Sequence, residues 1–246
     1  MLKNRVSWGW AGTAVVAAAF GGLGGCKAPD ANNASTNNAA SKAGNSATTG
    51  AVSVSAAKPY VGDDILLGEY GSLTGSTATF GQSTHKAVTM AIDEINAKGG
   101  VLNKKVRVQV EDNGGKTDQT GPAVLKLINQ ANVLAIIGEV ASSRSLAAAP
   151  ICQKAGIPMI SPASTNPKVT QMGDYIFRTC FIDPFQGTVM AKFARNELKA
   201  KKAAVLTDVA NDYSKGLTEF FIEEWKRSGG EIVATATYSE GDKEFR

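Results

Sequence analysis

The stretch IIGEVASSRSLAAAPICQKAGIPMISPAST, residues 136–165, decides the fold. It reads as a buried strand, a turn, a helix, a second buried strand and a second turn. The apolar runs Leu134 to Ile137 and Ile157 to Ile160 are short, contain β-branched residues and are bounded by small or polar ones. That is the pattern of parallel strands covered on both faces. Each run ends in hydroxyls, Ser142 and Ser143 after the first, and Ser161, Ser164 and Thr165 after the second. In an open α/β sheet, ligands bind beyond the carboxyl ends of the strands, where helix N-termini present free N–H groups. Two such turns side by side predict a receptor for a small carboxylate. The plainer reading of Ser142 and Ser143 is that they cap the helix that follows.

Upstream, Ile65 to Glu69 reads as a first strand and Tyr70 to Gln82 as a Gly/Ser/Thr-rich turn carrying Phe80. Phe80 is either packed in the core or a pocket wall. Ser83 or Thr84 is the expected cap of a helix to Ala97, with Val88, Ala91, Ile92 and Ile95 on one face and Gly99-Gly100 at its end. Lys105 to Glu111 alternates Val106, Val108 and Val110 with polar residues, giving a second strand, and a helix is expected through Val124, Leu125, Leu127 and Ile128. Tyr175 to Thr179 adds another strand. Strands alternating with helices predict an α/β architecture with parallel sheets. A helix is expected from Asp183. Then the pattern restarts: Ala203 to Val209 as a strand, Ala210 to Ser214 as a turn, a helix with Leu217, Phe220, Phe221 and Trp225, and a strand from Ile232 to Ser239. This is the beginning of a second lobe, which is expected to be incomplete in this chain and to expose some of Val205, Phe220, Phe221 and Trp225.

The N-terminus reads as an address. A basic start (Lys3, Arg5) and an apolar run from Val6 to Phe20 lead to Leu23-Gly24-Gly25-Cys26, the three-part form of a secretory signal. Its end resembles a bacterial lipobox, which makes Cys26 the expected lipidation site, and two or more acyl chains give stable anchoring. Lys27 to Pro59 is dominated by Ala, Asn, Ser, Thr and Gly and reads as a disordered tether. The expected organisation is therefore a lipoprotein signal over 1–25, a tether over 26–60, a first ligand-binding lobe over 61–182 and the start of a second over 183–246.

Composition narrows the function. An apolar content of 43% with 20% charged residues describes a globular chain with a sizeable core, one large or two small domains in 246 residues. The net charge of +4 drops to +2 once Lys3 and Arg5 are set aside. No basic stripe interleaved with aromatics occurs, which argues against a nucleic-acid partner. Cys26, Cys152 and Cys180 lack metal-ligand spacing, and His85 is the single histidine, expected to be solvated at a helix start. No metal or cofactor is expected. Cys152 and Cys180 could pair in an oxidising compartment, though no spacing signal favours it. Gly114-Gly115-Lys116-Thr117 is not a phosphate loop, because Val110 stands where the first glycine should be. Neither a nucleophile elbow nor a dinucleotide glycine loop is present in the globular part, so no catalytic residue is assigned.

The runs DEINAKGG (93–100), IIGEVASS (136–143), IPMISPAST (157–165), YIFRTCFIDPFQG (175–187) and NDYSKGL (211–217) resemble the branched-chain amino-acid-binding proteins. These are type I periplasmic binding proteins that serve ABC importers. The resemblance spans about residues 62–246 and implies two Rossmann-like α/β lobes closing on an amino acid. It implies that Ser142 holds the ligand carboxylate, that Val140 and Ala141 face its side chain, and that the Ala163 carbonyl and Thr165 bind its ammonium end. Phe80 takes the place of a pocket-lining tyrosine, and Tyr213 reaches in from the second lobe. It further implies importer permease subunits as partners, a monomeric receptor and a position on the periplasmic side of a bacterial membrane. Where well-known relatives have a small disulfide between the second-strand turn and the ligand loop, this chain has Gly115 and Ala141. Glu139 and Arg144 replace uncharged residues, Arg144 being expected as a solvated first-turn residue, with ligand contact the alternative. The relatives' ammonium-binding carboxylate falls beyond position 246. Two other readings remain open, a ligand sensor of the same fold without a transport role, and an α/β enzyme resting on fold alone.

Overall fold

The computed structural model describes residues 62–244. The expected signal, Cys26 and the tether lie outside the described residues. Five strands, β1 (Ile65–Gly71), β2 (Val106–Asp112), β3 (Ile136–Ile137), β4 (Met159–Ser161) and β5 (Ile176–Arg178), form one sheet in the order β2-β1-β3-β4-β5. Every pairing is parallel. The connections carry α1 (Ala78–Ala97), α2 (Thr117–Lys126), which runs on into a π-helical turn over Leu127–Ala131, α3 (Ser142–Ala155) and a 3-10 turn over Pro167–Met172. α4 (Asp183–Asn196) leads to a second parallel sheet, in which β6 (Lys202–Asp208) pairs with β7 (Glu231–Tyr238) across α5 (Asp212–Arg227). The expected boundary at 182–183 falls between β5 and α4.

This strand order fixes where a ligand can go. After β1 the chain places β2 on one side, and it then returns to place β3 on the other side of β1. The connections after β1 and β3 therefore diverge and leave a crevice at the carboxyl edge, the topological switch point. Behind the crevice, Leu127, Ile136, Cys152 and Met159 are wholly buried between the sheet and α2 and α3, each large aliphatic contributing roughly 1.5–3 kcal/mol by leaving water. The inward face of α3 is small (Ala148, Ala149, Cys152 and Ala155, all buried), which lets the helix sit close to the strands.

Several expectations are corrected. α1 begins at Ala78, five residues before Ser83, so Phe80 lies in its first turn and not in a loop. Ser83 and Thr84 do not cap: their hydroxyls bond back to the carbonyls of Thr79 and Phe80 at 2.8 and 3.1 Å, the alternative use of such side chains inside a helix. Gly81 makes the early start possible. A Cβ there would stand 2.2 Å from the Ser72 carbonyl oxygen, so only glycine lets α1 rest against the turn after β1. Tyr213 belongs to the first turn of α5, where Asn211 is the cap and accepts from the N–H groups of Tyr213 and Ser214. Trp225 is buried, stacked on Phe221 with ring centroids 5.6 Å apart and covered by the Arg195 guanidinium. Val205, Phe220 and Phe221 are half-buried, and the most exposed large apolar residues in and just after the second sheet's strands are Leu206, Val209 and Val233. His85 is not merely solvated, since its Nδ1 lies 2.8 Å from Oε2 of buried Glu69. Cys152 and Cys180 are free thiols, and burial raises that of Cys152 to about 12.

Candidate functional site

The segments expected to bind ligand meet in one cleft of about 450 Å³ at the carboxyl edge of the first sheet, a size typical of small-molecule sites. Phe80, Val140, Ala141, Ser142, Ala163, Thr165 and Tyr213 all line it. They come from four places: the first turn of α1, the β3–α3 turn, the β4 turn and the N-terminus of α5. Phe80 is 60% exposed, which excludes the core-packing alternative.

The hydroxyls divide into two groups. Ser142 and Ser143 do not cap α3, whose N-cap residue is Ala141 with no side-chain bond. Ser142 Oγ accepts the N–H of Asn166 at 3.2 Å, and Ser143 Oγ accepts the N–H of Asp212 at 2.8 Å. Ser161 and Ser164 face inward. Their hydroxyls donate to the Glu139 carbonyl at 2.6 and 2.8 Å, and Ser164 also pairs with Ser145 at 2.7 Å. They rivet the β3 and β4 turns to each other, leaving Ser142 and Thr165 as the hydroxyls of this pair of turns that face the cleft.

Thr165 is 7% exposed, and its Oγ1 has no hydrogen-bond partner. An unpaired buried hydroxyl at the edge of a cleft is a group waiting for a bond, because leaving it unmade costs roughly 1–3 kcal/mol. Beside it lies Asp183, the first residue of α4, whose backbone N–H donates to the Thr165 carbonyl at 2.9 Å. The Asp183 side chain is fully buried with neither oxygen bonded. Burial raises its carboxyl above the usual range, and the Thr165 hydroxyl beside it, close but outside hydrogen-bond geometry, and the Arg178 guanidinium hold it back in part. Sequence reading missed Asp183. Its signal was Asp-Pro at a helix start, which was read only as a boundary.

Arg144 was expected in solvent and is instead 6% exposed, forming an ion pair with buried Glu139. Opposite charges five residues apart across the β3–α3 turn were the available signal. Thr77, Arg144, Phe181, Gln186, Asn211 and Glu240 also line the cleft. Gln186 Nε2 donates to the Tyr213 hydroxyl at 2.9 Å and Ser76 Oγ to Glu240 Oε1 at 2.7 Å, so both sheets contribute to the walls. Among the described residues no group of three or more His, Cys, Asp or Glu side chains could hold a metal.

The arrangement has a polarity. One end offers the free N–H groups of α3 with the Ser142 hydroxyl, a site for an anion. The other offers the unpaired Thr165 hydroxyl and the Ala163 turn, with the Asp183 carboxyl buried behind Thr165 and outside the cleft wall, an end that suits a hydrogen-bond donor such as an ammonium group. Between and beyond them stand Val140, Ala141 and Phe80. Such a cleft suits a zwitterion carrying an apolar group.

Comparison with known proteins agrees with this architecture. The family described as periplasmic binding protein matches residues 65–246, and the chain belongs to that family. An amino acid binding protein of Pseudomonas aeruginosa is 33% identical over 183 residues, covering 74% of this chain and 49% of the relative. Two solved structures superpose closely. The branched-chain amino acid transporter substrate binding protein LivJ from Streptococcus pneumoniae, in complex with isoleucine, has a TM-score of 0.70 at 37% identity, covering 74% of this chain and 52% of that one. The leucine binding protein LivK from Thermotoga maritima has a TM-score of 0.69 at 40% identity, with 74% and 51% covered. The fold is thus that of the type I periplasmic binding proteins. The chain spans about half the length of the curated relatives it matches.

Proposed function

We propose that this chain carries the ligand-gripping face of an extracytoplasmic solute receptor. The receptor takes up an amino acid, branched-chain or a similar small zwitterion, and delivers it to the permease subunits of an ABC importer. It acts as a monomer, without a cofactor and without catalysis, held to the membrane through acylated Cys26. The observation that carries this reading is the buried, unpaired hydroxyl of Thr165 in the same cleft as Ser142 and the N-terminus of α3. Desolvating a zwitterion is costly unless both charges find partners, and charge-assisted bonds of roughly 1.5–3 kcal/mol each supply them. Val140, Ala141 and Phe80 offer apolar surface to the side chain, as a branched aliphatic group requires. The names of the relatives point the same way, to binding proteins for leucine, isoleucine and valine.

Isothermal titration of the full-length protein with L-leucine, L-isoleucine, L-valine and their deaminated acids tests the reading. Saturable binding of an amino acid with weaker binding of its deaminated acid is expected. No binding of any amino acid, or equal binding of the acid lacking the ammonium group, would overturn it.

A further inference from the structure

The turns at the carboxyl edge of the first sheet are far apart in sequence, and one buried carboxylate ties three of them together, two of which line the cleft. Glu139, in the turn after β3, is 2% exposed. Its Oε1 accepts from the Ser72 hydroxyl in the β1–α1 turn at 2.8 Å and from Arg144 Nε on α3. Its Oε2 accepts from Asn113 Nδ2 in the β2–α2 turn. Arg144 carries the connection onward, its Nη1 donating to the Gly115 carbonyl at 2.8 Å and its Nη2 to the Thr77 hydroxyl at 3.3 Å. Asn113 is held in turn, donating to Thr120 Oγ1 at 3.2 Å and accepting the Gly115 N–H at 3.0 Å. Thr77 and Arg144 themselves line the cleft, and Phe80 follows Thr77 within the first turn of α1.

We propose that Glu139 and Arg144 are positioning residues of the ligand site. The buried pair fixes the distance between the start of α1, with Thr77 and Phe80, and the β3–α3 turn, with Val140, Ala141 and Ser142. It thereby sets the width of the part of the cleft that takes the ligand's side chain. This rests on the receptor reading above. Net stability is a poor reason for such a pair, since burying two charges roughly breaks even against well-packed hydrocarbon. What the pair supplies is direction. A carboxylate and a guanidinium fork accept and donate along fixed lines, and here those lines run to Ser72, Asn113, Gly115 and Thr77. A site whose supporting groups are loose by about 1 Å loses function while keeping its fold.

The test uses the full chain, with L-leucine, L-isoleucine and L-valine as probes, titrated well below the melting temperature of each variant. Arg144→Lys keeps the charge, but one ammonium cannot reach Glu139, Gly115 and Thr77 together. It is expected to weaken binding roughly two- to thirtyfold and to change the ranking or spread of the three affinities. Glu139→Gln should do the same. In the double variant Glu139→Gln/Arg144→Met the two effects should fall short of additive, because both break one network. A purely structural pair would lower melting temperatures while affinity and selectivity of the folded protein stay at wild-type values, and that result would overturn the inference. If Glu139→Gln fails to fold, Arg144→Lys decides alone. Failure of the wild type to bind any of the three probes would remove the receptor reading and this inference with it. Wild-type binding with unaltered affinities in the variants would remove this inference only.

Discussion

The backbone N–H of Asp212 donates to the Ser143 hydroxyl at 2.8 Å, joining the first turn of α5 to the first turn of α3. The Asp212 carbonyl is also engaged, accepting from Asn166 Nδ2 at 2.9 Å. One residue of the second-sheet segment is thus clasped by both turns that build the cleft in the first sheet. If closure over a ligand brings these elements together, the clasp belongs to the closed state and slows release. Ser143→Ala should raise the dissociation rate of L-leucine roughly two- to tenfold, the worth of one ordinary hydrogen bond, and leave the association rate nearly unchanged, since most effects of such variants fall on dissociation. Stopped-flow kinetics measures both rates. A change confined to association would show that the bond does not report closure.

Gly81 sets the height of α1. Its would-be Cβ clashes with the Ser72 carbonyl at 2.2 Å and with the Ser72 amide nitrogen at 2.9 Å, both backbone atoms that cannot rotate away. Gly81→Ala must therefore push the start of α1 off the turn. A loss of about 1–3 kcal/mol is expected from overpacking of this kind, measured by denaturant unfolding. Because Phe80 moves with the helix, ligand affinity should fall as well. A stable variant with unchanged affinity would contradict the close approach.

Anchoring makes a separate prediction, motivated by Leu23-Gly24-Gly25-Cys26. Cys26→Ser should yield a protein released from membranes or retained with its signal uncleaved, read by fractionation and intact mass. A variant that remains acylated and sediments with membranes would remove the lipoprotein proposal.

The fold was legible because its information is local. Short β-branched runs, Gly99-Gly100 after the first helix, and alternating valines in β2 each announce an element within a few residues. The site was legible in part for the same reason: Ser142 and Thr165 stand at strand ends, where sheet topology alone puts ligands. What was not legible depends on distant partners. Ser83 and Thr84 have the chemistry of caps, and only the fit of Gly81 against Ser72 places the helix start earlier. Arg144 looked like a surface residue because Asn113, Ser72 and Glu139, which surround it or its partner, come from three different turns. Ser161 and Ser164 were grouped with Thr165, yet the pleat and the Glu139 carbonyl turn them inward.

Ser142 and Thr165 carry the main functional prediction. Ser142→Ala and Thr165→Ala should each weaken L-leucine binding by roughly 1.5–3 kcal/mol, about ten- to hundredfold, with the melting temperature nearly unchanged for Thr165→Ala and lowered for Ser142→Ala, which strips the acceptor from the Asn166 N–H. Ser142 does not cap α3, and Thr165 lies outside any helix. Thr165 Oγ1 has no protein partner to lose, so Thr165→Ala should be the more nearly neutral for folding. Unchanged affinity in both variants would place the ligand elsewhere.

Asp183 should show the opposite balance, with stability gained and binding lost. Its buried carboxyl is raised above its ordinary value by desolvation, with the Thr165 hydroxyl and Arg178 opposing and the half-buried Cys180 thiol also nearby. The folded state therefore holds this proton more tightly than the unfolded chain. Stability linked to the group is complete below the unfolded value of 3.8 and is lost as pH rises through the raised folded value. Above 3.8 the unfolded chain ionises freely while the folded chain holds the carboxyl where its charge is costly, so wild type loses stability that an amide would keep. A ligand's ammonium group approaching Thr165 is expected to relieve that cost. Asp183→Asn should melt higher than the ligand-free wild type at pH 7, with the difference shrinking as pH falls toward 4. The same variant should bind L-leucine more weakly while its affinity for 4-methylpentanoate, which lacks the ammonium group, stays the same or improves. Calorimetric melts at the two pH values and titrations with the two ligands decide it. Equal losses for both ligands would mean that Asp183 supports the cleft without sensing the ligand's charge.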